Sequence, residues 1–219
     1  MNDVREQLRA ATRRLPPSDP AAAVERLAAA AAAAGLLDVA VGVLESPVGR
    51  LLGAVTGRGL VALDYLGPAT APLLAELAHR VSPRVLWRPQ ALSAVGEELD
   101  EYFGGRRRAF TLVLDRRLLR GFQAEVLAAT EAIPYGTVRT YQEVAAAAGR
   151  PRASRAAGNA LAANPLPIVI PCHRVVRTGG GLGGYGGGVD RKVRLLAREG
   201  WGGRWPVPAR PGRQRPAST

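Results

Sequence analysis

The sequence predicts an α/β protein of two units, a small N-terminal sheet unit and a C-terminal helical unit that carries the reactive residues. Three observations support this prediction. Short apolar runs separated by turn residues fill the first part of the chain, helices joined by short turns fill the second, and 219 residues suffice for two small cores. The predicted boundaries are an N-terminal extension at 1–36, a supporting unit at 37–117, a second unit at 118–205 and a disordered tail at 206–219.

The N-terminal extension has no assigned function. Its charged first 14 residues favour a helix, the prolines within 15–20 end it, and the alanine tract favours a second helix up to about Gly35. A helical hairpin, a docked arm and a partly disordered segment all fit this composition. The tail after Trp205 is dominated by proline, arginine and small polar residues, which is typical of disordered chain.

The first unit is expected to open with an antiparallel sheet. Residues 39–67 contain apolar runs broken by the turn sequences SPVG and GRG, which favours two or three strands joined by hairpins. A helix is predicted at 69–80, a short strand at 85–88 and a second helix at 94–103. The segment AFTLVLD at 109–115 is predicted to close the unit as a strand. No candidate nucleophile lies in this unit.

The second unit is expected to contain a helix-turn-helix. A helix is predicted at 121–132, and Thr140 with Glu143 three residues later forms a capping box that starts the next helix. That helix is expected to end at Gly149, and a third helix is predicted at 154–163. Two helices joined by a short glycine-bearing turn, with basic residues at the start of the second, are typical of DNA-binding proteins, although many helix pairs bind nothing.

Composition favours a nucleic-acid partner and excludes several kinds of site. The net charge of +12 attracts polyanions, although arginine enrichment can also reflect genomic base composition. Cys172 is the sole cysteine, and His79 and His173 are the two histidines, so the chain cannot form an intrachain disulfide, or a conventional structural zinc centre without carboxylate ligands. We expect no metal and no cofactor. The N-terminus lacks the apolar core of a secretory signal, so a cytoplasmic location is expected.

Cys172 is the candidate nucleophile. It follows the apolar run 166–170, predicted to be a buried strand that Pro171 ends, and His173 and Arg174 come directly after it. A thiol reacts as its thiolate, so it needs a neighbouring base or positive charge. Adjacent strand residues point to opposite faces, so either a water bridges Cys172 and His173 or the chain leaves the extended conformation at Pro171. The alternative is a small buried hydrophobic residue, the commonest fate of a lone cysteine.

A glycine-rich loop follows the candidate nucleophile. Eight of the ten residues at 179–188 are glycines, which allow backbone to approach a ligand closely. Leu182 and Tyr185 within it favour a pocket wall over a flexible linker. A closing helix that contains Glu199 is predicted at 191–200.

Taken together, these segments resemble the O6-alkylguanine-DNA alkyltransferases, also called methylated-DNA–protein-cysteine methyltransferases. The resemblance runs from about residue 39 to residue 200, and a PCHRV pentapeptide between NPLPIVI and GGYGGG is highly specific. It implies a ribonuclease-H-like first domain and a second domain with a winged-helix-like helix-turn-helix and the active site. The matching segments are SPVGRLL, LDEYFGGRR, FQAEVLAA, IPYGTVRTYQEVA, RAAGNALAANP, PIVIPCHRVV, GLGGYGGG and the closing K..LL..EG.

The resemblance also implies roles for the residues of the reactive site. Cys172 would accept the alkyl group irreversibly. His173, acting through a water and supported by Glu199, would form the thiolate. Tyr141 would donate to the purine as charge develops on the leaving group. Asn164 would brace the turn before the nucleophile.

The third predicted helix would enter the minor groove of DNA while the damaged nucleotide flips into the pocket. Arg155 would fill the vacated place in the base stack, although a phosphate contact is the alternative role for this side chain. Short side chains on the same helix suit a narrow groove. The other predicted DNA-contacting residues are Ala153, Ser154, Gly158, Arg152 and Tyr185, the last of which would flank the base.

The predicted partner is double-stranded DNA that contains alkylated bases, O6-alkylguanine and also O4-alkylthymine. The protein is predicted to be a monomer, and each molecule is predicted to act once. The chain departs from the pattern because it lacks the first-domain zinc ligands of some members and any cysteine-rich regulatory module. Two alternatives remain: a damage sensor without transfer chemistry, which related proteins achieve without the cysteine, and a cysteine hydrolase, which would turn over.

Overall fold

A computed structural model describes residues 38–201, together with the helical positions Arg26 and Ala30. Apart from those two positions, the predicted extension at 1–36 lies outside the described residues, as does the predicted tail at 206–219. The described chain has an N-terminal sheet half and a C-terminal helical half, which confirms the predicted α/β class. The boundary between residues 117 and 118 stays a prediction.

A four-stranded sheet organises the N-terminal half. Its strands are β1 (Val39–Leu44), β2 (Leu51–Thr56), β3 (Gly59–Tyr65) and β4 (Val85–Trp87), in the spatial order β3-β2-β1-β4. The first three are antiparallel neighbours, and β4 runs parallel to β1. The two predicted hairpins and the short strand near residue 85 are thereby confirmed.

Two helices cover this sheet. Helix α1 (Thr70–Arg80) buries Leu73 and Leu77 in a small cluster on one side, and α2 (Ser93–Phe103) buries Leu99 and its neighbours on the other. The α2 side belongs to one large apolar core that continues into the C-terminal half. Both predicted helices are confirmed, and the shared core fixes the two halves against each other.

The predicted strand at 109–115 is wrong. The backbone of this segment pairs with the sheet only at Leu60, whose N–H donates to the carbonyl of Val113 at 2.9 Å and whose carbonyl accepts from the N–H of Asp115 at 2.9 Å. The N–H of Thr111 donates to a carboxylate oxygen of Glu98 on α2 at 2.8 Å. Since a side chain takes a donor that a strand ladder would need, the segment stays irregular despite its alternating sequence.

Up to residue 201, the C-terminal half contains four α-helices and a two-stranded parallel ladder. The helices are α3 (Gly121–Glu131), α4 (Tyr141–Ala147), α5 (Ser154–Ala162) and α6 (Val189–Arg198), and the ladder pairs β5 (Arg139–Thr140) with β6 (Val175–Val176).

Helices α4 and α5 form the predicted helix-turn-helix. The capping box is present: the N–H of Glu143 donates to the Thr140 hydroxyl at 3.0 Å, and the Thr140 N–H donates to the Glu143 carboxylate at 2.7 Å. Helix α4 ends at Ala147, two residues before the predicted end at Gly149, which follows the C-cap Ala148 at φ +77°. Helix α5 starts at Ser154, as predicted, and packs on both α3 and α4.

The run 166–170 is buried as predicted, but it is not a strand. The N–H of Ile170 donates to the carbonyl of Leu166 at 2.8 Å, and Ile168 adopts φ +73°. The Asn164 side chain satisfies this turn, because its oxygen accepts from the N–H of Leu166 and its amide donates to the carbonyl of Ile170. A β-branched residue at positive φ costs roughly 1–3 kcal/mol, which the surrounding core must offset.

Candidate active site

The tight turn after α5 places Cys172 at the base of a pocket. Pro171 leaves the extended conformation, and Cys172 begins a short 3-10 turn, Cys172–Arg174. The thiol is 6% exposed and accepts a hydrogen bond from the Asn164 amide, with Nδ2 and Sγ 3.2 Å apart. The chain therefore bends at Pro171, one of the two sequence-based possibilities, and a water between Cys172 and His173 stays a prediction.

Burial and one lysine determine the charge state of this thiol. Burial raises the pKa of Cys172 to about 11, against the stabilising effects of the Asn164 hydrogen bond and the positive charge of Lys192. Lys192 is itself fully buried, with its ammonium donating to the carbonyls of Val175 and Gly184, and burial lowers its pKa to about 8. The resting site therefore holds a neutral thiol beside a cation that favours its ionisation.

A buried hydrogen-bond network lies behind the thiol. His173 Nε2 is 2.9 Å from Oε1 of Glu199, and the guanidinium of Arg174 donates to both oxygens of this carboxylate at 2.8 Å. Tyr102 on α2 donates its hydroxyl to Oε1 at 2.7 Å, and the N–H of Gly136 donates to Oε2 at 3.2 Å. The sequence predicted Glu199 within the closing helix, but the residue is the C-cap of α6.

The network fixes the tautomer of His173. Burial alone would raise the pKa of Glu199, but the hydrogen bonds from His173 and Arg174 outweigh it and lower the value to about 2. Burial keeps the pKa of His173 below its ordinary value, so the ring is neutral. Since an ionised carboxylate only accepts, Nε2 carries the proton and Nδ1 presents its lone pair. Within the described part of the chain, no group hydrogen-bonds to Nδ1.

The pocket in front of Cys172 has a volume of about 630 Å³. Two predicted aromatic residues line it, Tyr141 from α4 and Tyr185 from the glycine-rich loop, while Leu182 does not. The loop passes so closely that a Cβ at Gly183 would lie 2.6 Å from the hydroxyl oxygen of Tyr141. Helix α5 contributes the predicted residues Ser154, Arg155 and Gly158 together with Asn159.

Two predicted DNA-contacting residues lie beside the pocket instead of in its wall. Arg152 is exposed in the turn before α5, and Ala153 is the N-cap of that helix. His79 lies on α1 in the other half. Among residues 38–201, no group of three or more histidine, cysteine or acidic side chains could hold a metal ion. No helix in this range is long and apolar enough to cross a membrane.

A second cleft, of about 600 Å³, reaches Cys172 from between the two halves. The hydroxyl of Tyr65 on β3 forms a hydrogen bond with the hydroxyl of Tyr185 across this cleft, with 3.0 Å between the two oxygens. The guanidinium of Arg191 lies 4.4 Å from the Tyr65 ring centroid, and a Cβ at Gly187 would lie 2.2 Å from that ring. The N-terminal half therefore helps to fix the glycine-rich loop.

Sequence reasoning missed several residues of this site. Arg174 was noted only as a neighbour of the thiol, and Tyr65, Tyr102 and Lys192 were not singled out. Tyr102 is 97 residues from its partner Glu199, so no local pattern could pair them. A lysine within the otherwise amphipathic α6 gave no signal that it would be buried.

The raised thiol pKa predicts how Cys172 reacts with iodoacetamide in the absence of DNA. Below the pKa of about 11, the thiolate fraction grows about tenfold for each pH unit, so the rate should climb from pH 6 to 9 without a plateau. Loss of the Lys192 charge near pH 8 should make the climb shallower. The urea-unfolded protein is the control and should level off above its ordinary thiol pKa of about 8.5. A plateau at the same pH in the folded protein would contradict the buried-thiol geometry.

A helix-turn-helix beside a pocketed cysteine is the arrangement expected of a DNA-binding protein that uses a thiol as its nucleophile. Two family models match the chain. Residues 39–116 match the ribonuclease-like domain, and residues 121–201 the DNA-binding domain, of 6-O-methylguanine DNA methyltransferase. The chain belongs to the 6-O-methylguanine DNA methyltransferase family.

Individual relatives agree with this assignment. The methylated-DNA–protein-cysteine methyltransferase of Mycobacterium leprae is 39% identical over 160 residues, which span 71% of this chain and 89% of the relative. The O6-methylguanine methyltransferase of Mycobacterium tuberculosis has a solved structure that matches with a TM-score of 0.64 and 39% identity, over 74% of this chain and 92% of that chain. A second structure, M. tuberculosis OGT in complex with DNA, matches with a TM-score of 0.63 and 38% identity, over the same shares.

Proposed function

We propose that this protein repairs alkylated double-stranded DNA by moving one alkyl group from a damaged base to Cys172. The alkylated atom is O6 of guanine in one substrate and O4 of thymine in the other. The observation that carries the proposal is the position of Cys172 at the base of a pocket whose wall includes the second helix of the helix-turn-helix. Relatives named methylated-DNA–protein-cysteine methyltransferases support the transfer chemistry.

The first step converts the thiol to a thiolate. The proton of Cys172 passes through a bridging water to Nδ1 of His173, whose buried lone pair accepts no hydrogen bond from the described residues. Glu199 stabilises the imidazolium that results, since its carboxylate already accepts from Nε2 at 2.9 Å. Lys192 stabilises the thiolate by its charge. The proton stays within the buried network, so the charge separation is short-range.

The second step is an in-line displacement at the alkyl carbon. A bond forms between Sγ of Cys172 and that carbon, the bond from carbon to the base oxygen breaks, and its electron pair stays on the base. Tyr141 lines the pocket, and burial raises the pKa of its hydroxyl, so the group stays protonated; it donates to the carbonyl of Gly184 at 3.3 Å and would turn to donate to the bound base. This donation stabilises the charge of the leaving group. Among residues 38–201, none lies beside the resulting thioether that could expel the alkyl substituent, so each molecule acts once.

The DNA must present its base outside the stack, because the thiol lies at the base of a pocket. The exposed N-terminal part of α5 carries short side chains, which suits entry into the minor groove. Arg155 is exposed on this helix and lines the pocket mouth, so we propose that it occupies the gap left by the flipped nucleotide. The related structure in complex with DNA supports DNA as the partner.

Arg155→Ala should slow transfer from duplex DNA on the order of 10²-fold and leave transfer from the free modified base unchanged. Flipping costs a few kcal/mol, and a side chain that fills the gap recovers part of that cost, whereas a free base needs no flipping. Single-turnover rates on the two substrates check this. Equal slowing on both would place Arg155 in the chemical step or the fold, and no effect on either would assign the gap-filling role elsewhere.

The proposed function is tested by mapping the adduct. The protein is incubated with a duplex that carries one O6-methylguanine, digested and analysed by peptide mass spectrometry. We expect one methyl group on the peptide that contains Cys172 and unmodified guanine in the recovered DNA. A methyl group on any other residue, or an unmodified protein beside repaired DNA, would overturn the proposal.

A further inference from the structure

Arg177 is a basic residue at the active-site pocket that the mechanism above does not use. It directly follows β6 and lines the same pocket as Cys172, Tyr141 and Arg155. Its side chain is exposed. Within residues 38–201, its guanidinium has neither an ion pair nor a side-chain hydrogen bond, although several other arginines in that range are paired with carboxylates.

The turn after β6 holds the stem of Arg177 in place. The N–H of Arg177 donates to the carbonyl of Gly181 at 2.7 Å, and its carbonyl accepts from the N–H of Gly180 at 3.3 Å. A Cβ built at Gly181 would lie 3.5 Å from Cδ of Arg177, so the aliphatic stem packs over this glycine. A cation whose stem is already packed loses less conformational freedom when it binds an anion.

The charge of Arg177 affects the pKa values of two nearby groups. It lowers the pKa of Tyr141, against the larger raising effect of burial, and adds to the lowering of the pKa of Lys192 that burial dominates. Arg177 lines the pocket and is exposed to solvent, and its charge acts on Tyr141 in the same pocket wall. Arg155 and Arg177 come from separate elements, helix α5 and the loop after β6, and line one opening.

We propose that Arg177 binds a backbone phosphate of the alkylated strand beside the flipped nucleotide and thereby positions that nucleotide over Cys172. This inference rests on the proposed function. When a base enters the pocket, its own sugar and phosphates remain at the opening, where Arg177 presents donors suited to a phosphodiester. In an unflipped duplex, the backbone does not turn into the opening, so the contact belongs to the flipped state.

The test compares the salt dependence of binding to two duplexes. All proteins in this test carry Cys172→Ser, so that the methylated DNA is not consumed. Dissociation constants are measured from 0.05 to 0.3 M salt, a range chosen around the roughly 0.05–0.2 M in which such slopes are resolved. Arg177→Met should reduce the slope of log Kd against log salt by about 0.9 on a duplex with one O6-methylguanine, the release expected for one phosphate. The slope on the undamaged duplex of the same sequence should not change.

Two matched variants accompany this measurement. Arg177→Lys keeps the charge and should retain the parent slope. Arg58→Met removes an exposed arginine from the hairpin between β2 and β3, which shares no residue with the pocket, and should leave both slopes unchanged. In the protein that keeps Cys172, Arg177→Met should lower the rate of transfer from saturating duplex and leave the rate of transfer from the free modified base unchanged.

Several results would overturn the inference. These are an unchanged slope on methylated DNA, an equal drop on both duplexes, the same drop in the Arg58→Met variant, and equal slowing on duplex and free base. The proposed function fails differently, because the unaltered protein would then leave Cys172 unmodified on methylated DNA.

Discussion

Cys172→Ser is expected to abolish alkyl transfer while leaving affinity for duplex DNA within about twofold of the parent, since phosphate and groove contacts position a protein on DNA. A serine hydroxyl ionises far less readily than a thiol, and burial raises the pKa even of the Cys172 thiol to about 11, against the lowering effects of Asn164 and Lys192. The substituted side chain sits at the base of the pocket, behind the exposed face of α5. Single-turnover transfer and equilibrium binding to the same duplex measure the two effects.

Cys172→Ala serves as the control for this prediction, because it removes the acceptor without adding a hydroxyl. Both variants should bind DNA and neither should acquire an alkyl group. Residual transfer in either variant would mean that another residue accepts the group. A loss of DNA affinity equal to that caused by disrupting α5 would mean that the pocket and the DNA-binding surface are not separable.

Glu199→Ala is expected to destabilise the protein by about 3–5 kcal/mol, the range found when one partner of a buried ion pair is removed. The substitution leaves the charge of Arg174 without its counter-ion, and the Tyr102 hydroxyl, His173 Nε2 and the Gly136 N–H without their acceptor. Urea unfolding gives the loss. Glu131→Ala is the matched control, because that carboxylate pairs with Arg116 on the surface and should contribute no more than about 1 kcal/mol.

The pH dependence of stability should identify the same carboxylate. The folded pKa of Glu199 is about 2 against an ordinary value of 4.5, so its contribution is fully present above about pH 4.5 and is lost as the pH falls towards 2. This contribution is on the order of 3 kcal/mol. The parent should lose it over this window, and Glu199→Gln should lack that part of the decline. Parallel curves for the two proteins would contradict the ionised, network-bound state of Glu199.

The sequence predicted the fold best where local rules agreed with tertiary packing. The hairpins of the sheet follow from turn residues between apolar runs, and the capping box at Thr140 located the start of α4 within one residue. The prediction failed at 109–115 and at 166–170, which have the apolar composition of strands. In both places a distant or polar side chain, Glu98 in one case and Asn164 in the other, takes the backbone groups that a ladder would need.

The candidate site was predictable to the extent that its residues cluster in the sequence. Cys172 and His173 are adjacent, and Tyr185 lies in the loop that follows them. The partners that tune their chemistry come from elsewhere: Tyr102 from α2, Tyr65 from β3 and the buried Lys192 from α6. These contacts depend on how the two halves pack together, and a periodic pattern in one helix contains no information about the partner it will meet.

The stoichiometry of transfer tests the central claim most directly. The protein is titrated with a duplex that carries one O6-methylguanine, and the intact mass is recorded at each ratio until DNA is in several-fold excess. The proposed chemistry predicts that the mass increases by one methyl group and stops, with one equivalent of DNA repaired per protein molecule. Repair of several equivalents of DNA per molecule, or a protein mass that stays unchanged while guanine is restored, would contradict irreversible transfer to Cys172.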